Sequence, residues 1–488
     1  MSDARQPADT VRTVQQWLDE TPQWRDGTPY PDAAMTVMQW RIWILAAAGK
    51  FFEGMIVFMG GVALPLVAAE FNLDASAHGF VTAASLAGIL VGASFLGGLA
   101  DVVGRKTMFI AEMVIFTAFL IVVCFSPSFP ILIVCLFGLG VALGCDYPTA
   151  HVIISESIAS KTRGRLVLSA FGFQAVGALF GTAVGYLILA NVSDLGAWRW
   201  MYATAVIPAI VVVILRFTIT ETPHWLHLRG RKSEAEAATL ALLRRNPAYP
   251  TEISLPDTTA GEGEESRNGS WLSLFNKKNR RATIFASVPW FLQDLGTYGI
   301  GIFTPVILAA AVGHKKEHAT SVADIVQNDM LAARGAAVID LLLIVGIVFA
   351  VLLADRLGRI RLQTLGFIGC AIGLAIAALS GHVSGTMQTV MIFVGFMLFN
   401  FMTNMGPNAQ TYLIAGEVFP TEVRAKGAGF AASFAKIGAV STAFLFPILL
   451  ADIGTDALLW GLVGTSLLGA VVTQAFQIET TGKSLEDI

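Results

Sequence analysis

Seven ionisable side chains, Lys50, Glu53, Asp146, His151, Asp294, Asp340 and Lys436, stand inside stretches that are otherwise apolar over lengths suited to crossing a lipid bilayer. A charge at the bilayer centre costs at least about 3 kcal/mol, so such residues mark proton, ion or solute paths by default. Lys50 and Glu53 are three residues apart and can face each other on one helix, which also suits a plain structural ion pair. Steps of four put Trp290, Asp294 and Tyr298 on one helical face, giving an aromatic wall, a hydroxyl and one titratable carboxylate. Tyr147, Gln174 and Asn408 add hydrogen-bonding groups to other stretches, where interhelical bonding is the simpler use. For Trp290 and Tyr298 the simpler use is packing. Asp146, beside Pro148, suits capping or bracing of its helix, and His151 a core hydrogen bond or a proton relay. Asp340 is read near the outer end of its span and receives no role.

The chemistry such a set supports is solute binding with proton exchange, not bond-making. There is no Walker loop, no metal-ligand cluster and no nucleophile with a partner base, so no enzyme activity, catalytic residue, cofactor or metal is expected. Direct use of ATP is disfavoured for the same reason. Energy must come from an ion gradient or from the solute's own gradient.

The elements that position these residues follow from composition. With 55% hydrophobic and 14% charged residues and a mean hydropathy of +0.66, the chain is too apolar for water, and its main solvent is the lipid bilayer. A net charge of -3 leaves no footprint for nucleic acid. Cys124, Cys135, Cys145 and Cys370 all lie in apolar stretches and read as small buried hydrophobes. Taking roughly 20 residues per crossing, about twelve spans fall near 43–66, 78–99, 107–126, 130–154, 166–190, 198–219, 283–311, 335–354, 363–381, 387–415, 427–450 and 456–476. Six precede the polar stretch Glu221 to Arg281 and six follow it. The fold class is therefore an all-α membrane protein of two six-helix bundles. The expected segments are 1–40 (a polar start, with a short surface helix over Thr10 to Leu18), 41–220, the linker 221–281, 282–477 and the tail 478–488.

Alternate loops carry the Lys and Arg residues, which places both termini and the linker on the cytoplasmic side. Lys315, Lys316 and Arg334 are the exception in an opposite loop. Two of the basic loops match each other: Gly97-Gly98-Leu99-Ala100-Asp101-Val102-Val103-Gly104-Arg105-Lys106 follows the second span, and Ala354-Asp355-Arg356-Leu357-Gly358-Arg359 the eighth. Glu156 closes the fourth span before Arg163, as Glu417 closes the tenth before Arg424. Two parallel repeats explain both coincidences, a construction that secondary transporters use for alternating access. Gly104 permits the tight reversal, and Arg105 can pair with Glu156 to hold the cytoplasmic side shut. Asp101, Arg105, Glu156, Arg163, Asp355, Arg359, Glu417 and Arg424 are thus read as gating residues. Pro148 and Pro407 are expected to open their helices locally.

These turns resemble the signature of the major facilitator superfamily over nearly the whole chain. Glu221-Thr222-Pro223-His224-Trp225-Leu226-His227-Leu228-Arg229-Gly230-Arg231 and the closing Glu479-Thr480-Thr481-Gly482-Lys483-Ser484-Leu485-Glu486 are similar to its sugar-porter-like branch. Within it, Gly144-Cys145-Asp146-Tyr147-Pro148, the Trp290-Asp294-Tyr298 face, Gly406-Pro407-Asn408 and Lys436 resemble the proton-coupled phosphate transporters of fungi and plants. The resemblance implies substrate binding by Tyr147, Gln174, Trp290, Asp294, Tyr298, Asn408 and Lys436, with proton coupling through Glu53 and Asp294. It implies a monomer in a plasma membrane, of bacterial inner-membrane type, that takes a small-molecule substrate and protons. The chain departs from that family at Ile56, where a second Asp is kept, and Lys50 and Asp340 are additions. Phosphate by proton symport is therefore expected first, with an organic acid, a sugar or another small metabolite as alternatives, and a non-transporting sensor after these.

Overall fold

The computed structural model describes residues 11–23, 28–29, 35–96, 99–246, 248–257, 271–312, 322–419 and 423–479; among them the side chains of 75, 101, 147, 161, 271, 305–312, 323, 331, 355 and 424–426 are excepted. The expectations for the side chains of Asp101, Tyr147, Asp355 and Arg424 therefore lie outside the described residues.

Thr13 starts α1 (Val14–Asp19) with a reciprocal capping box to Gln16, and Val14, Trp17 and Leu18 are buried, so this helix is docked rather than lying free on the surface. Thr36 caps the first long helix, α2 (Val37–Phe71), in the same way through Gln39. There follow α3 (Ala75–Val91), continued by a π segment to Leu96, α4 (Leu99–Val103), α5 (Arg105–Cys124) and α6 (Phe129–Ser157). Next come α7 (Ser160–Phe171), α8 (Phe173–Asn191) and α9 (Ala197–Arg216), then the short linker helices α10 (Pro223–Leu228) and α11 (Lys232–Leu243). The second half comprises α12 (Arg280–Val312), α13 (Val322–Leu357), α14 (Arg359–Leu379), α15 (Thr386–Met405), α16 (Pro407–Glu417) and α17 (Arg424–Phe476).

Among the described residues, ten helical segments are long and apolar enough to cross a membrane. A further crossing is α12, and the 53-residue α17 is split in two at Gly454, whose φ of 77° no helix accommodates. Twelve passes result. No strand occurs among the described residues beyond an isolated bridge between Gln23 and Pro29.

The first half is tied by α2 on α8, α3 on α6 and α5 on α6 and α9; the second by α12 on α17, α14 on α15 and α17, and α13 on α15. The halves meet along α3–α17, α8–α13 and α2–α12. Exchanging the halves turns the second-span contact with the eleventh span into the eighth-span contact with the fifth, so the duplicated sequence is matched by a duplicated interface. Close approach within the first half depends on Gly54, where a Cβ would collide with the Gln174 carbonyl.

One expectation on prolines is corrected. The helix α6 runs unbroken through Pro148, whereas Gly406 (φ -107°, ψ -104°) does interrupt the tenth span ahead of Pro407. A proline alone leaves the helix bent but continuous when neighbouring helices hold it; the glycine beside Pro407 lets the chain leave helical space.

Candidate functional site

At the linker end, Gly104 and Gly358 both take positive φ, 111° and 84°, and each launches a helix whose first residue is an arginine. Arg105 lies 3.3 Å from Glu156, and Arg359 lies 3.2 Å from Glu417. Arg163 turns instead to α1, donating to Gln15 at 2.7 Å. The linker docks on the same corner: Glu221 accepts from the Lys106 amide at 3.0 Å, and His224 Nδ1 lies 3.1 Å from the Glu156 carbonyl. Burial lowers the His224 pKa from 6.5 to about 4, against the raising effect of that carbonyl and with help from the charges of Arg163, His227 and Arg105. His224 is consequently neutral near pH 7.

The middle of the molecule holds a continuous polar network. Lys50 on α2 pairs with Glu53 at 2.9 Å, one helical turn on. Glu53 Oε1 accepts from Gln174 of α8 at 3.1 Å and from the Tyr298 hydroxyl of α12 at 3.3 Å. Lys436 of α17 donates to that hydroxyl at 2.8 Å and to Asp294 Oδ2 at 3.2 Å. Lys50, Glu53, Asp294, Tyr298 and Lys436 are all buried. Two ammonium groups and two carboxylates make the network neutral as a whole, and the network crosses from the first half to the second through Tyr298.

Beside it lies a cavity of about 20 Å³ open to the centre of a water molecule, lined by Gln174, Thr297, Tyr298, Asn404 and Asn408 among others. Since roughly 10–15 Å³ holds one water, this cavity has room for a water molecule. Asn408 donates to Asn404 at 2.6 Å at the cavity wall. Trp290 does not line this cavity; its ring packs edge-on against Tyr412, with centroids 6.2 Å apart. Tyr412 in turn stacks on Phe171 and meets His151 Nδ1 at 2.8 Å, bridging α16 and α6. His151 is thus engaged across the two halves.

Two features escape the sequence reading. Arg216, at the end of α9, is fully buried and pairs with Asp146 at 2.7 Å and Glu112 at 2.8 Å, while its guanidinium also reaches the Phe109 carbonyl. Asp146 therefore braces the first half through Arg216. Glu112 and Arg216 belong with the intramembrane ionisable residues: both fall inside expected spans, 107–126 and 198–219, and were not singled out there. Asp340 is the other correction: α13 begins at Val322, so Asp340 sits in mid-helix, 1% exposed, and does not reach water.

Comparison with known proteins adds an independent line. A family model described as sugar (and other) transporter matches residues 34–488. YaaU of Escherichia coli (strain K12) is 29% identical over 460 residues, covering 93% of this chain and 96% of that protein. Inorganic phosphate transporter 1-2 of Oryza sativa subsp. japonica is 28% identical over 453 residues, covering 84% of this chain and 83% of that protein. In fold, the xylose transporter XylE from E. coli, in a partially occluded inward open conformation, matches with a TM-score of 0.74 at 19% identity, over 92% of this chain and 100% of XylE.

Proposed function

The chain belongs to the sugar (and other) transporter family of multi-pass membrane proteins, and on that footing we propose that it is a proton-coupled symporter of a small anion, inorganic phosphate first. The observation that carries this reading is Lys436, a buried ammonium held only 3.2 Å from Asp294 and 2.8 Å from the Tyr298 hydroxyl beside the central cavity. A neutral solute has no need of a desolvated cation, and an anion has. The likeness to a rice phosphate transporter over most of both chains supports the same choice.

Coupling follows from charge. An anion entering while Asp294 is ionised meets a like charge; at about 4 Å and an effective dielectric near 20 the repulsion is about 4 kcal/mol, roughly three decades of affinity. Protonation of Asp294 removes that repulsion, turns the carboxyl into a donor to the anion and frees Lys436 to bind it. Because the resting network is neutral, one proton per negative charge keeps the loaded site neutral as well. Glu53, joined to Tyr298 and Gln174, is the second proton-exchanging group. Gln174, Tyr298 and Asn408 hold the substrate at the cavity, with Tyr147 one residue beyond Asp146 and Trp290 below as a wall that must turn away from Tyr412.

The pairs Arg105–Glu156 and Arg359–Glu417 each lie within one half, α5 to α6 and α14 to α16, and act in gating by bracing the cytoplasmic end of that half as the two rock. The protein works as a monomer in a bacterial inner membrane, with both termini and the linker cytoplasmic. Lys50 favours a second reading, an organic acid, since a second ammonium in the central network suits a further carboxylate. Uptake of labelled phosphate into proteoliposomes under an imposed pH gradient tests the choice. Accumulation blocked by arsenate and by collapse of the gradient is expected. Counterflow of an organic acid or a sugar without phosphate uptake would overturn it.

A further inference from the structure

Asp340 lies where the two halves meet, on the face of α13 that packs against α8 and α15, and the central network does not include it. It stands one helical turn from the cavity wall on three helices at once: Leu343 on its own helix, Ala178 before Thr182 on α8, and Asn404 after Asn400 on α15 all line the cavity. Its contacts are Thr182 Oγ1 at 2.9 Å and Asn400 Nδ2 at 3.4 Å, both neutral. Thr182 and Asn400 are themselves 1% and 2% exposed. On the elements packed against α13 the titratable and charged side chains include Lys50 and Glu53 on α2, Asp294 and Tyr298 on α12, Tyr186 on α8 and Tyr412 and Glu417 on α16, with Asp329 and Arg334 on α13 itself; α15 contributes none. None of these is in ion-pair or hydrogen-bond contact with Asp340 among the described residues, and Arg334 points outward. An ionised carboxylate here would be a charge buried in the membrane with no counter-charge, which is strongly unfavourable.

Hydrogen-bond bookkeeping leads to the same place. The Thr182 hydroxyl is 2.9 Å from Asp340 Oδ2 and 3.0 Å from the Ala178 carbonyl. A hydroxyl has one hydrogen, and both of these neighbours are acceptors if Asp340 is ionised, so one contact would go unmade. Both are made at once when Asp340 carries a proton: its O–H donates to Thr182 Oγ1, and Thr182 donates to the Ala178 carbonyl. Asn400 then serves the remaining oxygen.

We propose that Asp340 is a proton-binding site at the seam between the halves, loaded when α8 and α13 close over the cavity and emptied when they part. Thr182 belongs to the first half and Asp340 to the second, so rocking the halves apart removes the acceptor of the proton and lets water reach the carboxyl. The inference rests on the alternating access of the proposed function and not on the identity of the substrate.

The test needs no substrate. In infrared spectra of purified protein at neutral pH, Asp340→Asn is expected to lose one protonated-carboxyl C=O band, and Thr182→Val to shift that band by removing its hydrogen-bond partner. Spin labels at Val322→Cys on α13 and Leu187→Cys on α8 report the seam. Raising the pH is expected to enlarge the long-distance population in an otherwise unaltered chain, to leave it small and pH-independent in Asp340→Asn, and to find it enlarged at every pH in Thr182→Val. Loss of a carboxylate band instead of the protonated one, removal of the band by sodium ions, or the same pH response with and without Asp340→Asn would each overturn the proposal. A failed phosphate assay would leave all of these readouts in place.

Discussion

Replacing Lys436 by Gln keeps most of the side chain's length and a hydrogen-bond donor while removing the cation that touches both Asp294 and Tyr298. Two consequences can be sized. A hydrogen bond between a charged donor and the substrate contributes about 1.5–3 kcal/mol, so the KM for phosphate should rise roughly 10- to 150-fold. Breaking a buried ion pair from one side leaves the other charge uncompensated at a cost of about 3–5 kcal/mol, unless that group takes up a proton. Both side chains are only 3% and 2% exposed, so water cannot relieve that cost. Lys436→Gln should accordingly be less stable than the double variant Lys436→Gln/Asp294→Asn, in which no charge is stranded, and the gap should widen as the pH rises. Uptake kinetics in proteoliposomes and thermal denaturation of the detergent-solubilised protein measure the two effects. A KM within threefold of the unaltered protein, together with equal stabilities of single and double variants, would show that Lys436 neither binds the anion nor compensates Asp294.

His224 makes stability fall on acidification. Its folded-state pKa of about 4 lies below the ordinary 6.5, so from pH 6.5 down to 4 the unfolded chain takes up a proton that the folded chain refuses, at a cost of about 2–3 kcal/mol. His224→Gln should flatten the pH dependence of the melting temperature over that window; parallel curves would contradict it. Arg216→Met strands Asp146 and Glu112, and should cost about 3–5 kcal/mol in thermal or denaturant unfolding, with Glu112→Gln costing less. Gly54→Ala sets a methyl group against the Gln174 carbonyl and should cost about 1–3 kcal/mol while slowing transport, read by the same melting and uptake assays.

The twelve-pass architecture was legible because lipid forces each span to be long, helical and apolar, and because the duplicated turn sits in register in both halves. The faces of α2, α12 and α17 that meet at the centre could be read from ionisable residues in apolar helices, which have few other uses, whereas Gln174 on α8 carries no charge and was read from the resemblance. Lys50 and Glu53 show the limit of that reading: spacing allowed an ion pair, and only the fold places Glu53 against Gln174 and Tyr298 of two other helices. Arg216 escaped because an arginine at a span's end looks the same in sequence whether it reaches the cytoplasm or turns back to Asp146 and Glu112. Asp340 was misplaced because span boundaries drawn from hydropathy began at residue 335, whereas α13 starts at Val322. Tyr412, stacked on Phe171 across the seam, has no local signal at all, since its partner comes from the other half.

In the proposed cycle anion and proton bind together through Asp294, beside Lys436. The direct measurement is labelled-phosphate transport by Asp294→Asn in proteoliposomes, with counterflow and pH-gradient-driven accumulation recorded on the same preparation. A permanently neutral amide cannot exchange the proton, so counterflow should persist while accumulation driven by the gradient is lost. Accumulation equal to that of the unaltered protein would mean that Asp294 does not carry the coupled proton.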